Sequence, residues 1–168
     1  MITWYSDKAQ GLTPGATAGA ATPQGGTAPI SPYGANDVVS VRATLALPAA
    51  ASAATGDIAA MLQLPAGCEP VDAMIVSDAV DTGAGVVMEL CTIDNTLAAV
   101  VASTDLIAST TVGQAGGVAR ASTAAGLNQA ASLSDQWIGI KFTTGVTTAQ
   151  AGNVRLVYTY RAGTVLGI

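Results

Sequence analysis

The chain has 168 residues, half of them apolar and a tenth charged, with eleven acidic against six basic residues for a net charge of -5, and no histidine. That balance repels phosphate backbones, so no nucleic-acid partner is expected. It also lacks the side chain most used for acid–base work near neutral pH, so no enzyme is expected.

With one Phe, two Trp and four Tyr, a core must be built mainly from Val, Ile, Leu and Met. The length is that of one ordinary domain. The start, Met1 to Lys8, has neither a basic stretch nor an apolar run, so no secretory signal is expected and the chain is expected to be made in a cytoplasm.

Residues 1–37 hold four of the seven prolines (Pro14, Pro23, Pro29, Pro32) and six glycines, and neither a two-residue nor a helical period survives there. Such a segment cannot bury enough apolar surface to offset the entropy of ordering it alone, and it reads as an extended N-terminal arm. Trp4, Tyr5, Ile30 and Tyr33 give the arm apolar anchors at both ends. They are expected to dock on a partner or back onto the arm's own domain.

From residue 38 the texture changes. Val39, Val41, Ala43 and Leu45 alternate with Ser40, Arg42 and Thr44 until Pro48 closes the run, the pattern of a half-buried strand. Further strands are expected over 58–64, stopped by Pro65-Ala66-Gly67, over 71–79, stopped by Asp81-Thr82-Gly83, and over 85–93, stopped by Asp94-Asn95. Pro fixes φ and Gly permits positive φ, which makes these stops turns.

Residues 96–110 allow either a short helix or a strand pair. Their longest apolar run, Leu97 to Ala102, is far too short to cross a membrane as a helix. Weaker strands are expected over 118–121 and 130–133. Secure ones carry Ile138, Ile140 and Phe142, and then Val154, Leu156, Tyr158 and Tyr160. About eight short strands with hardly any helix describe an all-β antiparallel sandwich or barrel over residues 38–168.

Chemistry-bearing groups are few. Asp72, Asp78 and Asp81 lack the spacing of a calcium loop, and Asp81-Thr82-Gly83 reads as a turn. Ser122, Ser132 and Ser134 have no histidine to act as base, and Lys141 stands alone. Gly113 to Gly117 lacks the Gly-Lys-Ser/Thr ending of a phosphate loop and reads as a tight connection between strands.

Cys68 and Cys91, with 22 residues between them, have no zinc spacing and read as two buried free thiols. Arg42, Arg120, Lys141, Arg155 and Arg161 are far apart in sequence, so no basic patch is expected. Trp137 is expected to pack at an interface between copies of the chain.

An ordered set of motifs carries a family resemblance. Val41-Arg42-Ala43-Thr44 is followed by Leu64-Pro65-Ala66-Gly67-Cys68 with Val71-Asp72-Ala73, then by Ser77-Asp78-Ala79-Val80-Asp81-Thr82-Gly83. Thr111 to Arg120 and Val157-Tyr158-Thr159-Tyr160-Arg161 complete it. Over residues 38–162 this series resembles the head-associated structural proteins of tailed bacteriophages, the capsid decoration or cement proteins.

The resemblance implies a jelly-roll-like β-sandwich on the outer surface of the virion that bridges major-capsid subunits, as a homotrimer. It implies no catalytic, cofactor or metal residues, no small-molecule substrate and no membrane partner. Two further readings stay open: the base of a head fibre or a tail-associated piece, and a virion-surface carbohydrate-binding module gripping glycans through Trp137, Tyr158 and Tyr160. The arm, residues 1–37, has no counterpart in the resemblance.

Overall fold

Alternation of small β-branched or aliphatic residues with polar ones sets the architecture, because each strand can bury only one parity of its side chains. The computed structural model describes residues 2–6, 38–50, 52–93 and 105–162, the first four of these by their backbone. These residues form nine strands: β1 (Ile2–Tyr5), β2 (Val38–Leu47), β3 (Ile58–Leu64), β4 (Cys68–Ser77), β5 (Val87–Ile93), β6 (Ile107–Thr110), β7 (Gly117–Arg120), β8 (Gln136–Thr144) and β9 (Gly152–Ala162). Two single helical turns, α1 (Val112–Ala115) and α2 (Ala124–Leu127), flank β7.

The strands make a five-stranded sheet ordered β1-β3-β8-β5-β6 and a four-stranded sheet ordered β2-β9-β4-β7. Every pairing among β2 to β9 is antiparallel. Counted from β2, the sheets read first-eighth-third-sixth and second-seventh-fourth-fifth, the strand order of a jelly roll. The chain therefore passes from one sheet to the other at almost every connection.

Between the sheets, Val39, Val41, Ala43, Leu45 and Leu47 of β2, Ile75 of β4 and Val154, Leu156, Tyr158 and Tyr160 of β9 meet Met61 and Leu64 of β3, Met88 and Leu90 of β5 and Ile138, Ile140 and Phe142 of β8. The expected inner parity of β2, β8 and β9 is the observed one. β3 matches its expected bounds, whereas β4 begins three residues earlier than expected, at Cys68.

Residues 130–133 form no strand; they follow α2 in the loop leading to β8. The connection through Gly113 is a helical turn, with Gly116 at φ +79. A Cβ there would lie 3.3 Å from backbone atoms of both Ala79 and Ser77, so the close approach of the two connections calls for glycine.

The start of the expected arm belongs to the sandwich. β1 pairs in parallel with β3, Trp4 opposite Ala59 and Tyr5 opposite Ala60. Ser6 follows, donating its N–H to the Ala60 carbonyl at 2.9 Å and its hydroxyl to the Met61 carbonyl. Sequence patterning misses this strand because four residues are too few to show a period. Residues 7–37, including Ile30 and Tyr33, lie outside the described residues.

Asp81 holds the crossovers together. It is fully buried, and its carboxylate accepts from the N–H groups of Gly83 at 2.9 Å, Gly85 at 2.8 Å, Val86 at 2.8 Å and Thr148 at 2.8 Å, and from the Thr147 hydroxyl at 3.0 Å. Burial pushes its pKa up, but these donors outweigh burial and hold the carboxyl well below the usual carboxylate range. Asp81 thus ties the β4–β5 connection to the β8–β9 connection.

Replacing Asp81 by Asn puts an amide NH₂ among backbone donors, and is expected to cost about 3 kcal/mol or more in denaturant unfolding. Because Asp81, and also Asp78 at about 2, ionise more readily in the folded chain than in the unfolded one, their contribution is complete above about pH 5 and is lost as pH falls toward their folded values. Unfolding midpoints should be flat from pH 5 to 8, with no histidine step, and should drop between about pH 4 and 2. A transition near pH 6.5 would contradict this assignment.

The Tyr158 hydroxyl is buried without a hydrogen-bond partner among the described residues. Tyr158→Phe is therefore expected to leave stability unchanged or raise it by up to about 1 kcal/mol, read from the same unfolding curves.

Candidate interaction face

The outer faces of the two sheets differ. On the five-stranded sheet, Ile58, Ala60, Cys91, Ile93 and Trp137 point away from the inter-sheet core and are nonetheless buried. Lys141 and Glu89, opposite each other on β8 and β5, pair there at 2.9 Å. On the four-stranded sheet the outward side chains stay open to solvent, and that face is the candidate site.

Strand register fixes its layout. Arg42 on β2 lies opposite Val157 on β9, Val157 opposite Met74 on β4, and Met74 opposite Arg120 on β7. The next row is Thr44, Arg155, Val76 and Val118; to the other side lie Ser40, Thr159 and Asp72, then Val38, Arg161 and Glu69. Val38 is 57% exposed and Val118 60%, and Val71 is exposed beside the β4 bulge at Pro70 and Asp72.

Between these apolar points run three ion pairs: Arg120 to Asp72 at 2.5 Å, Arg155 to Asp78 at 2.9 Å and Arg161 to Glu69 at 2.6 Å. Hydrogen bonds from Arg120 lower the pKa of Asp72. Arg155, then the Asn153 N–H, bring Asp78 to about 2, so both are charged at neutral pH. Arg42 is exposed and has no carboxylate partner among the described residues.

Residues far apart in sequence are thereby brought together, with three carboxylates on the face beside them. Four arginines distant in sequence share one face, because Arg42, Arg155 and Arg161 sit on the outward parity of β2 and β9 and β7 brings Arg120 alongside. The outward parity was readable in the sequence; the order of strands that gathers it was not. Valine and methionine among arginines, with water able to reach all of them, is the make-up of a protein-contact surface.

The other candidate residues sit elsewhere. Trp137 is 4% exposed within one chain, so its burial needs no second copy. Tyr158 and Tyr160 lie in the core with ring centroids 6.1 Å apart. The three aromatics that a glycan-binding platform would use are therefore unavailable to a sugar, which corrects that reading. Trp4 and Tyr5 lie in β1.

Cys68 and Cys91 are free and buried. Burial and then the nearby Asp135 push the Cys68 thiol up, while burial, Glu89 and Asp105 push Cys91 up to about 12, so both are neutral thiols at pH 7. Among the described residues no group of three His, Cys, Asp or Glu side chains is placed to hold a metal ion. Asp72 and Asp78 face arginines and Asp81 is filled by its own donors.

No protein-family model matches the sequence, and no curated protein matches it either. Solved structures do: a chain from the capsid of Ralstonia phage GP4 is 30% identical, with a TM-score of 0.71 over 95% of this chain and 97% of that one. A chain from the cyanophage Pam1 capsid asymmetric unit is 26% identical, with a TM-score of 0.59 over 88% of this chain and 98% of that one. The chain belongs to this family of phage capsid proteins and is a structural component of a virion.

Because its ion pairs are exposed to water, the open face should contribute little to folding. Arg120→Ala is expected to leave the unfolding midpoint unchanged within error, by circular dichroism. A clear drop would mean that the face is held for folding rather than for contact.

Proposed function

We propose that the protein decorates the outer surface of a phage head and bridges neighbouring major-capsid subunits as a homotrimer. The observation that carries this reading is the alignment of nearly the whole chain, at 30% identity, with a chain of a phage capsid. The open valine and arginine face, whose carboxylates are each paired with an arginine, suits static contact better than turnover. Three of its four arginines are already paired with carboxylates, so it suits a protein surface better than a polyanion.

The arm supplies the second contact. Its Pro- and Gly-rich stretch cannot bury enough apolar surface alone, and Ile30 and Tyr33 near its end are the residues we assign to the shell. Weak contacts of this kind, repeated around an assembly, add through effective concentration.

Purified protein added to expanded heads that lack it should bind at copy numbers comparable to those of the shell subunits and raise the temperature at which the heads rupture. A variant lacking residues 11–26 should remain folded and bind more weakly. Failure of the intact protein to bind would remove the reading, and a handful of copies per particle would replace it with a fibre base or tail piece.

A further inference from the structure

We propose that copies of this chain associate head to tail, the loop before β8, carrying Leu133 and Asp135, seating on the open face of the four-stranded sheet of the next copy. The proposal rests on the self-association proposed above but not on attachment to a shell.

Charge distribution is the first argument. The open face holds four of the chain's six basic residues and three of its eleven acidic ones, Glu69, Asp72 and Asp78. That leaves the rest of the chain with two basic and eight acidic residues. Three of the face arginines are paired with those three acids on the face itself, which leaves Arg42 as its uncompensated charge, and pairing the face with its own copy about a twofold axis would bring no free carboxylate to it. Pairing it with another part of the next copy can bring an acidic group to Arg42, and such heterologous contacts form rings where the rotation closes.

Exposed apolar residues identify the other half of the contact. Among the described residues the large exposed ones are Val38, Val71 and Val118, all on the open face, and Leu133, which is 84% exposed. Leu133 does not hang from a slack loop. Ser132 on one side accepts the Gly67 N–H at 2.8 Å through its carbonyl, and its hydroxyl accepts the Ser134 N–H at 3.2 Å.

On the other side, Asp135 accepts the Ala66 N–H at 2.8 Å and the Gln63 amide at 3.3 Å. A leucine held out into water by hydrogen bonds on both flanks is organised for a partner in advance, which lowers the entropic cost of binding.

The charges match in the same way. Asp135 is the one exposed acidic residue among the described residues, and its carboxylate has lone pairs to spare. Arg42 is the described cation without a carboxylate. Leu133 fits among the face valines while Asp135 meets Arg42, with one apolar and one charged contact fixing the register.

The test is a complementation experiment on free protein. A face variant carries Arg42→Glu and Val118→Ser; a loop variant carries Leu133→Ser and Asp135→Asn. The changed side chains are exposed, and melting curves confirm folding, with Arg42→Gln alone as a milder face variant. By light scattering, wild type should show the mass of a multimer that weakens in 1 M salt, and each variant alone the mass of one chain.

An equimolar mixture should show a mean mass above that of either variant and not beyond two chains, because one good face meets one good loop and the contact cannot propagate. A wild type of single-chain mass, a variant that keeps the wild-type mass, or a mixture that stays at one chain overturns the proposal. Head binding is measured separately, so a monomer that still binds heads would remove this inference and spare shell attachment.

Discussion

The carboxylate of Asp81 is the point on which the crossovers converge. A jelly roll passes between its sheets at nearly every connection, and each passage leaves backbone groups that no strand ladder can satisfy. Here three passages meet. Asp81 takes donors from the β4–β5 and β8–β9 connections, while the N–H groups of Val80 and Asp81 both reach the carbonyl of Gly113 in α1, between β6 and β7. Gln150 closes the set with its N–H to the Val80 carbonyl at 3.0 Å. A buried charge is costly unless filled with donors, and this one is filled by backbone that would otherwise be orphaned.

That knot explains how a core with few aromatics holds a fixed geometry. The inter-sheet space is lined by Val, Ile, Leu, Met and Ala, with Phe142, Tyr158 and Tyr160 as the large members. Aliphatic packing is tolerant of sliding, because many arrangements bury similar area. Hydrogen bonds to Asp81 are directional and fix where β5 and β9 begin. The core thus supplies most of the burial and the carboxylate supplies the register.

Much of the sandwich was legible because parity is a local signal. The alternation from Val39 to Leu45, and again from Val154 to Tyr160, names the buried side chains of β2 and β9 without knowledge of their neighbours. What was not legible depends on which strands lie side by side. Asp81 reads as a turn residue until Thr147 and Thr148, sixty-odd residues away, are seen to donate to it. Likewise Arg42, Arg120, Arg155 and Arg161 are scattered until β9 is placed between β2 and β4, with β7 beyond. Trp137 is a related case: alternation places it off the inter-sheet face, yet it is buried within the chain.

The two sheets divide the work of the molecule. The five-stranded sheet is buried on its outer face as well as its inner one, so its strands carry apolar residues on both parities: Ile58, Cys91 and Ile93 outside, Met88, Leu90 and Ile140 inside. The four-stranded sheet keeps its alternation outside the β4 bulge and leaves its outward side chains open to water. Those positions can vary in charge and size with little effect on the core, and they are where this chain has gathered most of its few cations. The side chains of the open face can change while the knot at Asp81 and the aliphatic core keep the same shape.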